Sequence, residues 1–177
     1  MDMKPTTYEA LSEIQKKMLD EAEKAMGNSY NPYSGFSVGA ALLTDDGGII
    51  TGTNVENAAY GNCICAERTA LVRAVATGYK QYLAIAVIAK GKGFDVQEVA
   101  APCGSCRQML FEASQITGHN LEVIMATTKK DKILISSISE LLPLAFGPKN
   151  LGIETRNFGD TTPSSQSIFG STDTRQT

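Results

Sequence analysis

Apolar residues recur along the chain with two different spacings, and these spacings predict its secondary structure. Between Tyr8 and Met26 they fall every three or four residues among Glu, Lys and Gln, which predicts an amphipathic helix. Two apolar segments, 36–44 and 49–53, flank a turn of two aspartates and two glycines, which predicts a β-hairpin. The chain is therefore expected to open with a helix and a hairpin.

The rest of the chain alternates between helical and strand-like segments. Helix formers fill 66–76, and the nearly continuous apolar run 82–89 is typical of a central strand covered on both faces. Later elements are also predicted: a helix with Pro102 in its first turn, strands at 121–127 and 133–136, and a short helix at 139–142. The order α-β-β-α-β-α-β-β-α predicts an α/β fold with three α/β/α layers, in which a mixed central sheet of about five strands has helices on both faces.

Composition predicts one domain followed by a polar tail. The 177 residues, of which 42% are hydrophobic, are enough for a single sizeable core. From Thr155 onward, ten of 23 residues are Ser or Thr, which leaves too little apolar surface to offset the entropy lost on ordering. We therefore expect a catalytic domain over residues 1–154 and a disordered tail over residues 155–177.

Charge and hydropathy argue against two classes of partner. A net charge of -3 provides no basic field for nucleic-acid phosphates, and no apolar run is long enough to cross a bilayer. The four cysteines lie in two close pairs near arginines, and the N-terminus has no apolar segment of the kind found in secretory signals. We expect reduced thiols in a cytoplasmic protein that binds neither nucleic acid nor membrane.

The cysteines carry the strongest chemical signal in the chain. Cys103 and Cys106 lie one turn apart on a predicted helix, and Cys65 begins another helix, so these thiols can form three corners of a zinc tetrahedron. The fourth corner is left to water, which Glu67 can reach. A structural site that also uses Cys63 is the alternative, but only one residue separates Cys63 from Cys65, whereas structural pairs usually have two to four. The spacing favours a catalytic zinc site, with Cys63 a free thiol.

The motif Cys-Ala-Glu-Arg at 65–68, followed by Pro-Cys-Gly-Ser-Cys at 102–106, resembles the zinc-dependent cytidine deaminase family. Further stretches resemble that family in sequence and order, at 33–40, 54–60 and 140–148. The resemblance extends over about residues 8–151 and is specific to the short, homotetrameric nucleoside deaminases.

The resemblance implies a role for each matching residue. Zinc would be bound by Cys65, Cys103 and Cys106, and Glu67 would carry protons. The implied substrate-binding positions are Phe36 against the pyrimidine, Asn54 and Glu56 at the ribose hydroxyls, and Ala58, Tyr60, Ala66 and Phe146. In tetrameric members, the segments that match Ala58 to Tyr60 and Phe146 reach a neighbouring subunit's pocket. From the residues alone, Phe36 and Phe146 could equally be core residues and Asn54 a turn residue.

The implied reaction is the zinc-dependent hydrolytic deamination of cytidine and deoxycytidine to uridine and deoxyuridine with release of ammonia, a step of pyrimidine salvage. Glu67 would take a proton from a water whose pKa zinc lowers toward about 7, and would return protons to ring N3 and to the departing amine. A relative acting on another cytosine nucleoside, such as blasticidin S, is the alternative within the enzyme class. A structural zinc-binding module is the alternative outside it.

Two further residue types refine this interpretation. Most deaminases of nucleic acid present a histidine as the first zinc ligand, whereas the single histidine of this chain, His119, lies outside any ligand spacing. Three thiolates on Zn²⁺ leave a net negative charge, which a nearby cation should offset. Arg68 follows Glu67 and Arg107 follows Cys106, so either guanidinium could donate to a ligand sulfur. We favour Arg68 because the matching motif includes it.

Overall fold

The computed structural model describes residues 4–155 and has the three layers that the sequence predicts. Its strands are β1 (Lys4–Thr6), β2 (Phe36–Thr44), β3 (Ile49–Thr53), β4 (Tyr82–Gly91), β5 (Phe94–Asp95), β6 (Glu122–Thr127) and β7 (Ile133–Ser137). Its α-helices are α1 (Glu13–Met26), α2 (Ala66–Ala76), α3 (Gly104–Thr117) and α4 (Ile138–Leu141), and short 3-10 helices lie at Tyr60–Asn62 and Pro148–Leu151. Apart from Thr155, the tail expected at residues 155–177 lies outside the described residues.

The sheet topology brings the beginnings of two helices to one edge of the sheet. The strand order is β1-β7-β6-β4-β2-β3, with β5 paired to β4. Strand β2 is antiparallel to both β3 and β4, so β3 and β4 run in the same direction, and β6 is parallel to β4. Helix α2 connects β3 to β4 and α3 connects β4 to β6. Each helix follows a loop that leaves the same edge of the sheet, where β3 and β4 end, and the N-termini of α2 and α3 therefore lie close together.

Alternate residues of the sheet contribute to two separate cores. On β2, Ala40 and Leu42 pack with α2, α3 and α4, whereas Ala41 and Leu43 pack with α1. This two-sided burial explains why β4 is apolar almost throughout, since both of its faces are covered. Within residues 4–155, no helix combines the length and the apolar content that spanning a bilayer would require.

Several element boundaries differ from the prediction. Helix α1 begins at Glu13 and not at Tyr8, because Ser12 and Gln15 form a capping box at its N-terminus. Helix α3 begins at Gly104 with Cys103 as its N-cap, so the placement of Pro102 in the first turn was wrong. Within residues 4–155 the sheet has seven strands and not five. The two additional strands, β1 and β5, contain three and two residues, which is too short for an alternating pattern to be visible in the sequence.

Candidate active site

Three thiols meet where α2 and α3 begin. Cys65 is the N-cap of α2, Cys103 is the N-cap of α3, and Cys106 is buried in the first turn of α3. The Cys65 and Cys103 sulfurs are 3.8 Å apart, the Cys103 and Cys106 sulfurs are 3.5 Å apart, and all three lie within 4.8 Å of one another. A tetrahedral zinc ion with Zn–S bonds of about 2.3 Å requires its sulfur ligands to be ~3.8 Å apart. The arrangement therefore fits Zn²⁺.

The fourth cysteine does not belong to this cluster. Among residues 4–155, the only group of His, Cys, Asp and Glu side chains that could hold a metal ion is the set Cys65, Cys103 and Cys106. The Cys63 sulfur instead accepts a hydrogen bond from the backbone N–H of Asn57 at 3.3 Å. The geometry thus supports three protein ligands and an open fourth position, the arrangement of catalytic zinc sites.

The electrostatics of the thiols favour thiolate formation at Cys65. The pKa of Cys65 is lowered to about 5, chiefly by a hydrogen bond from the Cys106 thiol and further by Cys103 and Arg68, although burial opposes the shift. The same hydrogen bond, together with burial, raises the pKa of Cys106. In the metal-free protein one thiolate is therefore stabilised by its neighbours, and the dipoles of two helix N-termini act in the same direction.

Glu67 lies beside the thiols in the first turn of α2. Only 4% of its surface is exposed, and it lines the same cavity as Cys65 and Cys103. Burial raises the pKa of Glu67, and the nearby charge of Cys65 adds to this effect, whereas hydrogen bonds oppose it. A carboxyl group with a raised pKa next to a metal site is suited to accept and return protons near neutral pH.

The two candidate arginines have different surroundings. The Nη2 atom of Arg68 donates to the Cys63 carbonyl oxygen at 2.7 Å and to the Cys65 sulfur at 3.9 Å. Arg107 donates instead to backbone carbonyl oxygens, those of Pro102 at 2.7 Å and Leu141 at 2.9 Å. The structure therefore brings Arg68 to a ligand sulfur, whereas Arg107 connects α3 to the preceding loop at Pro102 and to the end of α4 at Leu141.

A cavity of about 370 Å³ opens above the thiols. Its lining includes the candidate substrate-binding residues Phe36, Asn54 and Glu56, together with Glu67 and the cysteines at 63, 65 and 103. The other seven lining residues, which the sequence did not identify, come from β2, β4 and the loops before β2, α2 and α3: Ser34, Val38, Val55, Ile64, Val87, Ala100 and Ala101. No chemical pattern marks them, because they are small or apolar. The volume is in the range of small-molecule sites.

Asn54 and Glu56 are held in the cavity wall by backbone groups. The Asn54 side chain accepts from the Val38 amide and donates to the Phe36 carbonyl, both at 2.8 Å. The Glu56 carboxylate accepts from the amides of Tyr33 at 2.9 Å and Ser34 at 3.2 Å. A side-chain hydrogen bond from Ser34 and these amides lower the pKa of Glu56. Asn54 thus fastens the start of β2, and Glu56 remains ionised beside the cavity.

The remaining predicted positions lie outside this cavity. Ala66 is fully buried in the core at the first position of α2. Ala58 is exposed, Tyr60 is 73% exposed with its ring edge-on to Tyr33 at 6.0 Å, and Phe146 is 61% exposed. The single chain brings Phe36, Asn54, Glu56 and Glu67 into one cavity beside the cluster of three thiols, but not Ala58, Tyr60 or Phe146.

Comparison with known proteins gives concordant matches. The family model of the cytidine and deoxycytidylate deaminase zinc-binding region matches residues 12–119. A cytidine deaminase of Halalkalibacterium halodurans is 41% identical over 137 residues, which cover 77% of this chain and 97% of that protein. One from Sporosarcina psychrophila is 40% identical over 136 residues, covering 77% and 93%. The crystal structure of a Burkholderia pseudomallei cytidine deaminase superposes with a TM-score of 0.67 at 41% identity, covering 77% of this chain and all of that one.

Proposed function

The chain belongs to the family of zinc-binding cytidine and deoxycytidylate deaminases, and from this premise we propose how its residues act and what they act on. The protein catalyses the zinc-dependent hydrolytic deamination of cytidine. Deoxycytidine is proposed as a second substrate, with uridine or deoxyuridine and ammonia as products. The observation that carries the proposal is the set of three sulfurs at zinc spacing beside the buried Glu67 carboxyl.

We propose that the nucleoside binds with its base toward the thiols and its sugar toward the cavity wall. The ring of Phe36 would pack against the pyrimidine, because it is half-buried in the wall of the cavity. The ionised Glu56 carboxylate would accept a hydrogen bond from a ribose hydroxyl, and Asn54 would bind the adjacent hydroxyl. Their backbone anchors fix both side chains before substrate arrives, which lowers the entropy lost on binding.

Glu67 is proposed to carry the protons of the reaction. Cys65, Cys103 and Cys106 would bind zinc, which when present lowers the pKa of a water toward about 7 and so supplies the nucleophile. As the new C–O bond forms at C4, Glu67 accepts a proton from the water and passes it to ring N3. It then carries the second proton to the amino group, the C4–N bond breaks, and ammonia leaves. Burial of Glu67 keeps this proton exchange away from bulk solvent.

We further propose a homotetramer whose pockets are shared between subunits. Tyr60 and Phe146 are large apolar side chains that are mostly exposed, and Leu144, two residues before Phe146, is fully exposed. Leu144 and Phe146 are also close together in the chain, and large apolar side chains exposed in such a patch usually meet a partner. Ala58 and Tyr60 would complete a neighbour's pocket on one side and Phe146 on another. A cytoplasmic role in pyrimidine salvage is proposed as well, because zinc binding requires reduced thiols.

Glu67→Gln tests the proton-transfer role. Glutamine has nearly the same shape and can still donate or accept a hydrogen bond, but it cannot take up a proton. We expect the variant to keep its zinc content and melting temperature close to wild type while turnover of cytidine falls by about 10²- to 10⁴-fold. Zinc content would be measured by metal analysis of the purified protein. Turnover near the wild-type rate would show that another group carries the protons.

A further inference from the structure

Gly52 lies directly beneath the first turn of the helix that carries Cys65 and Glu67. It is buried in β3, paired with Ala40 of β2. A methyl group placed on Gly52 would lie 2.3 Å from the Ala70 amide nitrogen and 2.4 Å from the Ala66 carbonyl oxygen. These backbone atoms belong to α2, one turn apart, and bracket Glu67 in the sequence. The α2 backbone therefore approaches β3 as closely as the absence of a side chain allows.

Space, and not backbone conformation, is the reason for glycine at this position. The backbone of Gly52 does not have a positive φ, so any residue could adopt its extended conformation. A side chain at Gly52 would meet backbone atoms of α2, which cannot rotate away as a flexible side chain would. Ordinary contact begins at 3.4 Å, so one added methyl would have to move the first turn of α2 away from the sheet by about 1 Å in this closely packed interior.

The geometry points to Gly52 as a positioning residue for the catalytic site. Its missing side chain sets the distance between the sheet and the first turn of α2. That distance places the Cys65 sulfur against the thiols of α3 and Glu67 against the cavity. A displacement of ~1 Å at a reacting group can cost about 10²-fold in rate. The inference rests on the proposed roles of Cys65 and Glu67, but Gly52 itself is neither in the cavity lining nor in the thiol cluster.

Gly39 provides a matched control on the opposite face of the sheet. A methyl group on Gly39 would lie 1.8 Å from the Ala22 carbonyl oxygen of α1, so Gly39→Ala crowds a helix against the sheet as Gly52→Ala does. Helix α1 carries none of the zinc-binding or cavity residues. Both variants should lose stability through overpacking, whereas only Gly52→Ala should disturb the site.

Two readouts distinguish positioning from a loss of stability. The first is the absorption spectrum of the cobalt-substituted protein, which reports the geometry of the three sulfur ligands without any substrate, together with zinc affinity from chelator competition. The second is the separate determination of kcat and KM for cytidine, which shows which of the two constants the substitution changes. We expect Gly52→Ala to alter the cobalt spectrum, weaken zinc binding by about tenfold and lower kcat by about 10- to 10²-fold. Gly39→Ala should keep the wild-type spectrum and zinc affinity.

The outcomes separate this inference from the proposed function. A cobalt spectrum and kcat of Gly52→Ala that match those of Gly39→Ala at equal melting temperature would overturn the positioning role. A wild-type protein that binds cobalt through three thiols but does not deaminate cytidine would instead contradict the proposed function, and the cobalt readout would still decide the role of Gly52.

If the glycine variants do not fold because they are overpacked, other substitutions can test the same inference. Arg73 of α2 donates to the carbonyl and hydroxyl oxygens of Thr51 on β3 at 3.1 and 3.2 Å, so Arg73→Ala loosens the same junction without adding volume. Lys130→Ala is its control, because Lys130 binds Asp20 and Glu23 of α1 on the other face. Arg73→Ala should weaken zinc binding and alter the cobalt spectrum, although less than crowding does, and Lys130→Ala should not. Equal behaviour of the two variants would overturn the inference. If Gly39→Ala does not fold, Leu19→Ala in the α1 core is the stability control.

Discussion

Arg68→Gln tests whether a cation is needed beside the zinc ligands. The substitution removes the positive charge 3.9 Å from the Cys65 sulfur and keeps a side chain that can hydrogen-bond. Without the guanidinium, three thiolates would make the metal site more negative, and the attacking water would hold its proton more tightly. We therefore predict that the apparent pKa governing turnover rises.

The size of the shift follows from distance and screening. Two unit charges 3.9 Å apart interact by about 4 kcal/mol at an effective dielectric constant of ~20. A water on a metal held by Cys65 would be two bonds beyond that sulfur, so we take a separation from the guanidinium of roughly 6 Å; because Arg68 is partly exposed, a dielectric constant of ~40 is suitable and gives about 1.4 kcal/mol. This energy corresponds to about one pKa unit. Below the wild-type pKa, turnover should fall about tenfold, and well above it the two enzymes should converge.

The assay is the pH dependence of kcat for cytidine in wild type, Arg68→Gln and Arg107→Gln, with zinc content measured for each sample. Arg107 carries the same charge near the site but contacts backbone carbonyl oxygens and not a ligand sulfur, so its removal should lower stability without moving the pH profile. Full activity of Arg68→Gln with an unchanged profile would refute the role of Arg68. A shift of equal size in both arginine variants would show that only the general field matters.

Three further predictions concern ionisation, the C-terminal residues and assembly. In the metal-free protein, burial raises the pKa of Glu67 above its ordinary value of 4.5, so the fold loses stability as pH rises from that value through the raised pKa. With zinc removed from both proteins, the melting temperature of Glu67→Gln should therefore exceed that of wild type near pH 8 and match it near pH 4, and a pH-independent difference would contradict the shift. Removing residues 156–177, which are rich in Ser and Thr, should leave turnover and melting temperature nearly unchanged, whereas a large drop in melting temperature would mean that this segment docks. Leu144 is one of two non-glycine residues with positive φ in the described chain, so Leu144→Gly should relieve about 1 kcal/mol of backbone strain in a subunit yet promote tetramer dissociation in sedimentation experiments, and unchanged dissociation would place Leu144 outside the contact.

Much of the fold could be predicted because its strong signals are local. The hairpin of β2 and β3 and helix α2 begin and end at the predicted residues, since turn residues and helix formers mark their boundaries. The start of α1 also had a local signal, the capping pair Ser12 and Gln15. The prediction that the helix begins at Tyr8 was based on apolar spacing and did not consider this pair. Strands β1 and β5 exist only because neighbouring strands pair with them.

The site was predictable where chemistry fixes the spacing of residues and unpredictable where tertiary distance decides. Three thiols and Glu67 follow from ligand geometry, and the structure brings them together. The backbone-fastening contacts of Asn54 and the close approach at Gly52 depend on which strand and helix meet. No pattern along the chain reveals these contacts. The sequence favoured Arg68 over Arg107 only through the matching motif, and the hydrogen-bond partners give the physical difference between the two arginines.

Release of ammonia is the direct measure of cytidine deamination by this protein. The purified protein, loaded with zinc, would be incubated with cytidine, deoxycytidine, deoxycytidylate and cytosine, and ammonia would be measured together with the metal content of the sample. We expect ammonia from the two nucleosides alone, loss of activity on removal of zinc, and recovery when zinc is restored. No ammonia from cytidine with the three-thiol site fully loaded, or equal turnover after complete removal of the metal, would contradict this expectation.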